Sequence, residues 1–468
     1  MKITLILAAS PKDPLKKTDP FMPLSLPLLA ASAPEHDYTF VDMLAGEDID
    51  FDKPADLVGI SSRITAKITA FRIADEFRKR GVKVVLGGPE MSSSPYEAIL
   101  HADAVVIGEA EGLWPMLLDD LKNSSLKNFY ISSPVEFDNK SYSKYQEREF
   151  LDLSKVPIAA RYIYNRRYTF DTVFASRGCP IDCDFCSVSK LFGKNIRLRS
   201  VDDVVKEIAS FKNYYYLLDD TVFGRANNYD YYLELYEKIA ALKKVNFWTG
   251  QANLDAASTE KDRAVIKKAA QAGFLYAAIG MESINFEVLK KSGTINKMGA
   301  GSGDDYLQRM KENIRFIQDQ GIFISGWFAI GYEEDTIDSY YKTLEFCLEN
   351  NIIPVISPLE ALPGTRLYDK LIKENKVDAS KKINVVHPNI KDADVMIAME
   401  YINRVGYSNK EILKRTMFYS KRFDKDNPNT NQKINNKIHK TIFTYITQKK
   451  LKQGVIGLAN NEFSEMEK

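Results

Sequence analysis

The sequence predicts an α/β protein in two parts: a doubly wound domain over residues 1–125, then, after a linker at 126–165, an incomplete (β/α)6 barrel over 166–370. A small, mainly helical region with a partly disordered tail follows at 371–468. Three observations predict this. Short apolar runs alternate with amphipathic stretches from the first residue to about 120, a second such series begins at Tyr168, and 468 residues exceed what one core supports.

In the first series the runs are ITLILAA, YTFVDML, DLVGISS, KVVLGGP and AVVIGEA. Each is short, continuous and rich in β-branched residues, as parallel strands covered on both faces are. Between them Ile68–Arg80 carries helical periodicity and closes at Gly81. This pattern is Rossmann-like, and such a domain takes its ligand beyond the carboxyl ends of its strands. Residues 123–165 are rich in Ser, Asn, Lys and Tyr and read as a connection.

The second series comprises TFDTVFASRG, NYYYLLDD, NFWTGQAN, YAAIGMES, FISGWFAIG and PVISPLEALPG. Helical stretches separate them, and the polar residues cluster where each strand ends, the catalytic edge of a β/α barrel. Beyond 370 the chain turns Lys- and Asn-rich, and KRFDKDNPNTNQKINNKIHK reads as a solvated break.

Charge argues against a polyanion partner, because 64 Lys+Arg nearly balance 63 Asp+Glu, so nucleic acid is not expected. The apolar start of MKITLILAASPKDP is too short for a signal-peptide core and reads as a buried strand. No run reaches the roughly 18 apolar residues of a membrane span, so a cytoplasmic protein without a transmembrane segment is expected.

Four cysteines are too few for a disulfide scaffold, and Cys179, Cys183 and Cys186 fall within eight residues, which points to metal in a reducing compartment. Three thiolates on a tight loop ligate three irons of a cubane and leave the fourth iron open. A structural zinc site wants four ligands, and neither a fourth Cys nor a His lies nearby. Cys347, in SYYKTLEFCLENN, sits on an amphipathic helix pattern and reads as a buried thiol.

The spacing Cys-x-x-x-Cys-x-x-Cys, with Phe185 just before the last cysteine, resembles the radical S-adenosylmethionine (SAM) superfamily. The resemblance spans roughly 165–365. It implies a [4Fe–4S] cluster whose open iron chelates SAM, reductive cleavage of the S–C5′ bond to a 5′-deoxyadenosyl radical, and an electron donor such as flavodoxin or ferredoxin. It also implies cofactor contacts from Phe185, from Asp219 and Asp220 after one strand, and from Gln251 and Asn253 on the next. Gly280, Glu282 and Ser283 fall near the ribose and methionine parts, Arg197 or Arg199 near the SAM carboxylate, and Ala329–Gly331 near adenine.

The stretch from DLVGISS to VVIGEAEGLW resembles the cobalamin-binding domain that precedes the barrel in a subgroup of the superfamily. This resemblance implies a corrin site at Ser61, Ser62, Thr65, Gly87, Gly88, Pro89, Glu90, Gly108, Glu109, Ala110 and Glu111. There is no Asp-x-His-x-x-Gly motif, so no His-on binding is expected, and Glu90 stands where the subgroup often has His.

Two enzymatic readings follow. One is cobalamin-dependent methylation of an unactivated carbon of a small-molecule, lipid or natural-product substrate; the other is a cobalamin-free radical rearrangement, cyclisation or carbon–carbon coupling. An iron–sulfur electron carrier is the non-enzymatic alternative, against which Phe185 and the barrel pattern stand. Methylthiolation of transfer RNA is disfavoured, because the first 178 residues lack a second cysteine triplet.

Overall fold

A computed structural model describes residues 1–11, 13, 20–132, 142–144, 150–164, 168–212, 214–223, 228–242, 247–295, 305–378, 381, 383–423 and 430–460. The chain divides into two compact units, residues 1–180 with 187–207, and residues 181–186 with 208–468.

The first unit is built on a parallel sheet of β1 (Lys2–Leu7), β2 (Asp37–Asp42), β3 (Leu57–Ser61), β4 (Lys83–Gly87), β5 (Ala104–Ile107), β6 (Phe129–Ile131) and β7 (Tyr142–Lys144). Their order is β2-β1-β3-β4-β5-β6-β7. Adjacent residues of one strand serve opposite faces. Ile6, Val58 and Leu86 pack against Phe71 and Phe77 of the helix Lys67–Lys79. Leu5, Leu57 and Val85 pack on the other side with Trp114 and Tyr130. Full burial of each such side chain contributes about 1.5–3 kcal/mol, which is why the strands read as unbroken apolar runs.

Five strands of this sheet were legible as apolar runs, but the expected linker 126–165 departs from expectation. Phe129–Ile131 extends the sheet, and Leu151, Leu153, Val156 and Ala159 pack with Met22, Leu24 and Leu28 in a core of their own. The apolar residues are spaced singly among polar ones, so composition conceals them. Residues 133–141 and 145–149 of that segment lie outside the described residues. The unit continues through β8 (Phe170–Val173) into an antiparallel pair, β9 (Ser176–Arg177) with β10 (Arg197–Leu198).

The second unit holds a parallel ladder of β11 (Tyr214–Leu217), β12 (Trp248–Asn253), β13 (Phe274–Glu282), β14 (Phe323–Ile330) and β15 (Ile353–Pro358). With β8, all six strands expected of the barrel form. Helices Asp392–Gly406, Asn409–Ser420 and Thr430–Asn460 make the C-terminal region. The expected break overlaps residues 424–429, outside the described residues, and the start of that last helix; the tail 461–468 also lies outside. Cys347 is buried on the helix Ile337–Glu349, as its periodicity requires, and burial raises its thiol pKa.

Candidate active site

The cysteine loop starts in the first unit. Gly178 has φ +101°, and a Cβ there would lie 2.3 Å from the Asn195 carbonyl oxygen, so only glycine lets the chain leave β9 at this point. Cys179 N–H then donates to the Gly193 carbonyl at 3.1 Å. Cys183 and Cys186 fall in the second unit, where Cys186 N–H donates to the Cys183 carbonyl at 3.3 Å. None of the three forms a disulfide. Three thiols are a donor set for iron–sulfur rather than a hard cation, and the two carboxylates between them are paired, Asp182 with Arg366 and Asp184 with Tyr332. Among the described residues no three His, Cys, Asp or Glu converge as a ready metal cage, so this reading rests on ligand chemistry and spacing.

Around the second and third cysteines the second unit is tied together locally. Asp184 N–H donates to the Ser292 carbonyl at 3.1 Å, and the Asp184 carbonyl accepts from Leu367 N–H at 2.9 Å. Tyr332, two residues past the end of β14, donates its hydroxyl to Asp184 Oδ1 at 2.6 Å. Burial, then the neighbouring charges of Asp184, Glu282 and Cys183, raise the Tyr332 phenol pKa, so it stays a donor. Asp335 Oδ2 accepts from Gly331 and Tyr332 N–H at 2.9 and 3.1 Å and closes that turn. Sequence reading missed Tyr332, Asp184 and Asp335, and a pairing 148 residues apart leaves no local signal. Phe185 packs with Leu359, Ala361 and Leu367.

The polar residues predicted at the barrel edge do gather there. Asn253 ends β12 directly beside Gly280 of β13, and Gly280 lies beside Trp327 of β14. Asn253 is 5% exposed, and its amide Nδ2 has no hydrogen-bond partner among the described residues. A buried donor left unpaired costs about 1–3 kcal/mol, which suits a ligand acceptor arriving at this edge. At Gly280–Glu282 the β13–β14 register slips, and Glu282 sits in the left-handed region at φ +62°. That conformation costs a non-glycine residue roughly 1–2 kcal/mol, and it re-aims the side chain at the end of the strand. Ser283 is buried and its Oγ accepts from Asn285 N–H at 3.0 Å. Gln251 is exposed, Asp220 half-buried, and Asp219 fully buried with its Oδ2 accepting from Tyr232 at 3.1 Å.

Two arginines expected at the cofactor are also engaged elsewhere. Arg199 Nη1 donates to Glu207 Oε2 at 2.9 Å and to the Phe174 carbonyl at 3.0 Å, inside the first unit. Arg197 pairs with Glu109 at 2.9 Å. A buried guanidinium already neutralised by a carboxylate is a poor ligand for a second one.

At the carboxyl ends of the first sheet, Ser61 and Gly87 are register partners. Gly88 has φ +98°, and a Cβ there would lie 2.7 Å from the Ser62 carbonyl oxygen, so the two loops run in contact. Ser92 Oγ, in the helix opened by Pro89, bridges the next loop by accepting from Gly108 N–H at 3.0 Å. Ser62 Oγ donates to the Arg63 carbonyl, and Thr65 lies half-buried in the turn Ile64–Ala66. The three acidic residues of these loops are not free for a ligand: Glu90 meets Lys67 at 3.2 Å, Glu109 meets Arg177 at 2.8 Å as well as Arg197, and Glu111 meets Arg177 at 2.5 Å. The carboxylates expected at the corrin thus each sit in an ion pair.

The model of the radical SAM superfamily matches residues 173–347. Over those residues the chain carries a radical SAM domain. A radical SAM domain works with a [4Fe–4S] cluster and SAM, in keeping with the three thiols and the unpaired Asn253 amide. Bacteriochlorophyllide d C-8(2)-methyltransferase of Chlorobaculum tepidum is 29% identical over 412 residues, 84% of this chain and 86% of that protein. The cobalamin-dependent SAM radical enzyme OxsB, solved with aqua-cobalamin and SAM, shares the fold over 96% of this chain and 71% of its own, with TM-score 0.68 at 16% identity. The radical SAM methyltransferase TsrM from Kitasatospora setae, solved with cobalamin and a [4Fe–4S] cluster, does so over 80% and 78%, with TM-score 0.61 at 16% identity.

In this radical SAM domain Glu282→Gly separates backbone strain from side-chain chemistry. Glycine relieves the left-handed conformation, so the melting temperature is expected to hold or rise, while SAM affinity drops roughly tenfold, the loss of about one charge-assisted hydrogen bond. Calorimetric titration with SAM beside a thermal melt checks it; unchanged affinity removes Glu282 from the site.

Proposed function

We propose that this chain is a cobalamin-dependent radical SAM methyltransferase that methylates an unactivated carbon of a small-molecule, lipid or natural-product substrate, with a flavodoxin or ferredoxin as electron donor. The observation that carries the reading is a complete doubly wound half, with small residues at its strand ends, ahead of a radical SAM barrel in one chain. The OxsB fold, matched over 96% of this chain, supports it. When bound, the cluster supplies the electron for SAM cleavage and cobalamin the methyl group.

The chain's own residues bind and orient. Cys179, Cys183 and Cys186 hold the cluster, Asn253 offers an amide donor and Glu282 a carboxylate at the barrel edge, and Tyr332 keeps the Asp184 turn closed. Ser61, Gly87, Gly88 and Gly108 leave room for a flat, bulky ligand past the first sheet. No His lies in those loops. His101 sits just ahead of β5, at the other end of the strand, stacked on Phe71 at 4.3 Å and bonded to Asp75 at 2.9 Å. These loops would hold a corrin without offering its cobalt an imidazole.

Equilibrium dialysis of the cluster-loaded protein with hydroxocobalamin is expected to give about one corrin per chain, with a spectrum lacking an axial imidazole. Absence of binding with the cluster intact would transfer the proposal to the cobalamin-free radical reaction.

A further inference from the structure

We propose that the outer face of the last two helices is a docking surface for an anionic lipid membrane. The helix Thr430–Asn460 carries Lys433, Lys437, Lys440, Lys449, Lys450 and Lys452, and no Asp or Glu in its 31 residues. One of its faces is packed. Thr444 and Gln448 are fully buried, Gln448 bonds Arg415 and Thr416, and Thr441 bonds Ser420, pairings that set it antiparallel to the helix Asn409–Ser420.

On the other face Ile438, Ile442, Tyr445 and Ile446 recur at the spacing of a single helical stripe. The neighbouring helix presents Leu413 and Met417 one turn apart, with Lys410 and Lys414 exposed in the same outer rows and Lys421 just beyond. The six apolar side chains are each between 43% and 55% exposed. Single exposed apolar residues are ordinary, but six on two packed helices make a patch, and patches of this kind mark interaction sites.

Charge selects the occupant. The acidic residue of the helix Asn409–Ser420, Glu411, is mostly buried and already 3.5 Å from Lys414, which leaves the lysines dominant. Apposing this face to a second copy would set lysines against lysines. An interfacial layer of anionic headgroups accepts both the apolar stripe and the cations beside it. Among the described residues no helix is long and apolar enough to cross a membrane, so the contact is peripheral.

Flotation of the full chain with mixed phosphatidylcholine–phosphatidylglycerol vesicles tests this. The protein is expected to float with mixed vesicles, to stay down with pure phosphatidylcholine, and to release at high salt. Ile442→Asp with Ile446→Asp, and separately Lys410→Glu with Lys450→Glu, are expected to weaken binding roughly tenfold or more with iron content and circular dichroism unchanged. No flotation, equal flotation with neutral vesicles, wild-type binding by both variants, or a doubled mass in light scattering that Ile442→Asp abolishes would overturn the proposal.

Discussion

Replacing Cys179, Cys183 and Cys186 by Ala is expected to reduce the iron of anaerobically prepared protein from about four per chain to near zero and to abolish release of 5′-deoxyadenosine from SAM. Of the chain's four cysteines, these three share one loop, and thiolate ligation has no substitute there. Cys347→Ala serves as the control. That thiol is fully buried on the helix Ile337–Glu349 and burial raises its pKa, so it resists the deprotonation that ligation needs. Iron quantitation and the visible absorbance of the brown protein check both arms. A triple variant that kept its iron would end the cluster assignment, and loss of iron in Cys347→Ala would mean that a fourth ligand had been missed.

Glu109→Ala is expected to destabilise the first unit by about 3–5 kcal/mol, the usual result of leaving a buried charge without its partner. Its carboxylate receives Arg177 at 2.8 Å and Arg197 at 2.9 Å, and its side chain is almost wholly enclosed. The variant leaves Arg197 with the Leu151 and Phe192 carbonyls, and Arg177 with Glu111 alone. Denaturant unfolding followed by circular dichroism measures the loss; a cost under about 1 kcal/mol would show the network to be solvent-compensated. Acid acts on the same network. Burial opposes the charge of Glu111, but Arg177 outweighs it and lowers the carboxyl pKa. The stability it contributes is therefore complete above the ordinary carboxylate range and is lost as pH falls through the lowered value.

Much of the architecture was legible because parallel strands buried on both faces must be continuous apolar runs. Ile3–Leu7, Leu57–Ile60 and Val84–Leu86 announce themselves that way. Phe129–Ile131 did not, being three residues inside a polar stretch that its neighbours β5 and β7 hold in the sheet. At the site, spacing identifies the cysteines and the barrel pattern finds the edge carrying Asn253 and Glu282. What spacing cannot reveal is which charges the protein has already used. Arg199, Glu90 and Glu109 look like ligands in the sequence, and the fold pairs each with a partner 8 to 88 residues away. Tyr332 is the converse case, an ordinary strand-end residue until folding brings it to Asp184.

The return of residues 150–164 and 168–174 to the beginning of the chain decides what can be excised. Tyr168 donates to Asp42 at 2.6 Å across 126 residues, and Thr172 Oγ1 donates to the Met22 carbonyl at 2.7 Å. A fragment cut at 125 would strip the cover from Met22, Leu24 and Leu28 and leave Asp42 without its tyrosine. The Rossmann-like half is thus not a detachable cassette: any graft onto another barrel must carry the chain as far as the cysteine loop.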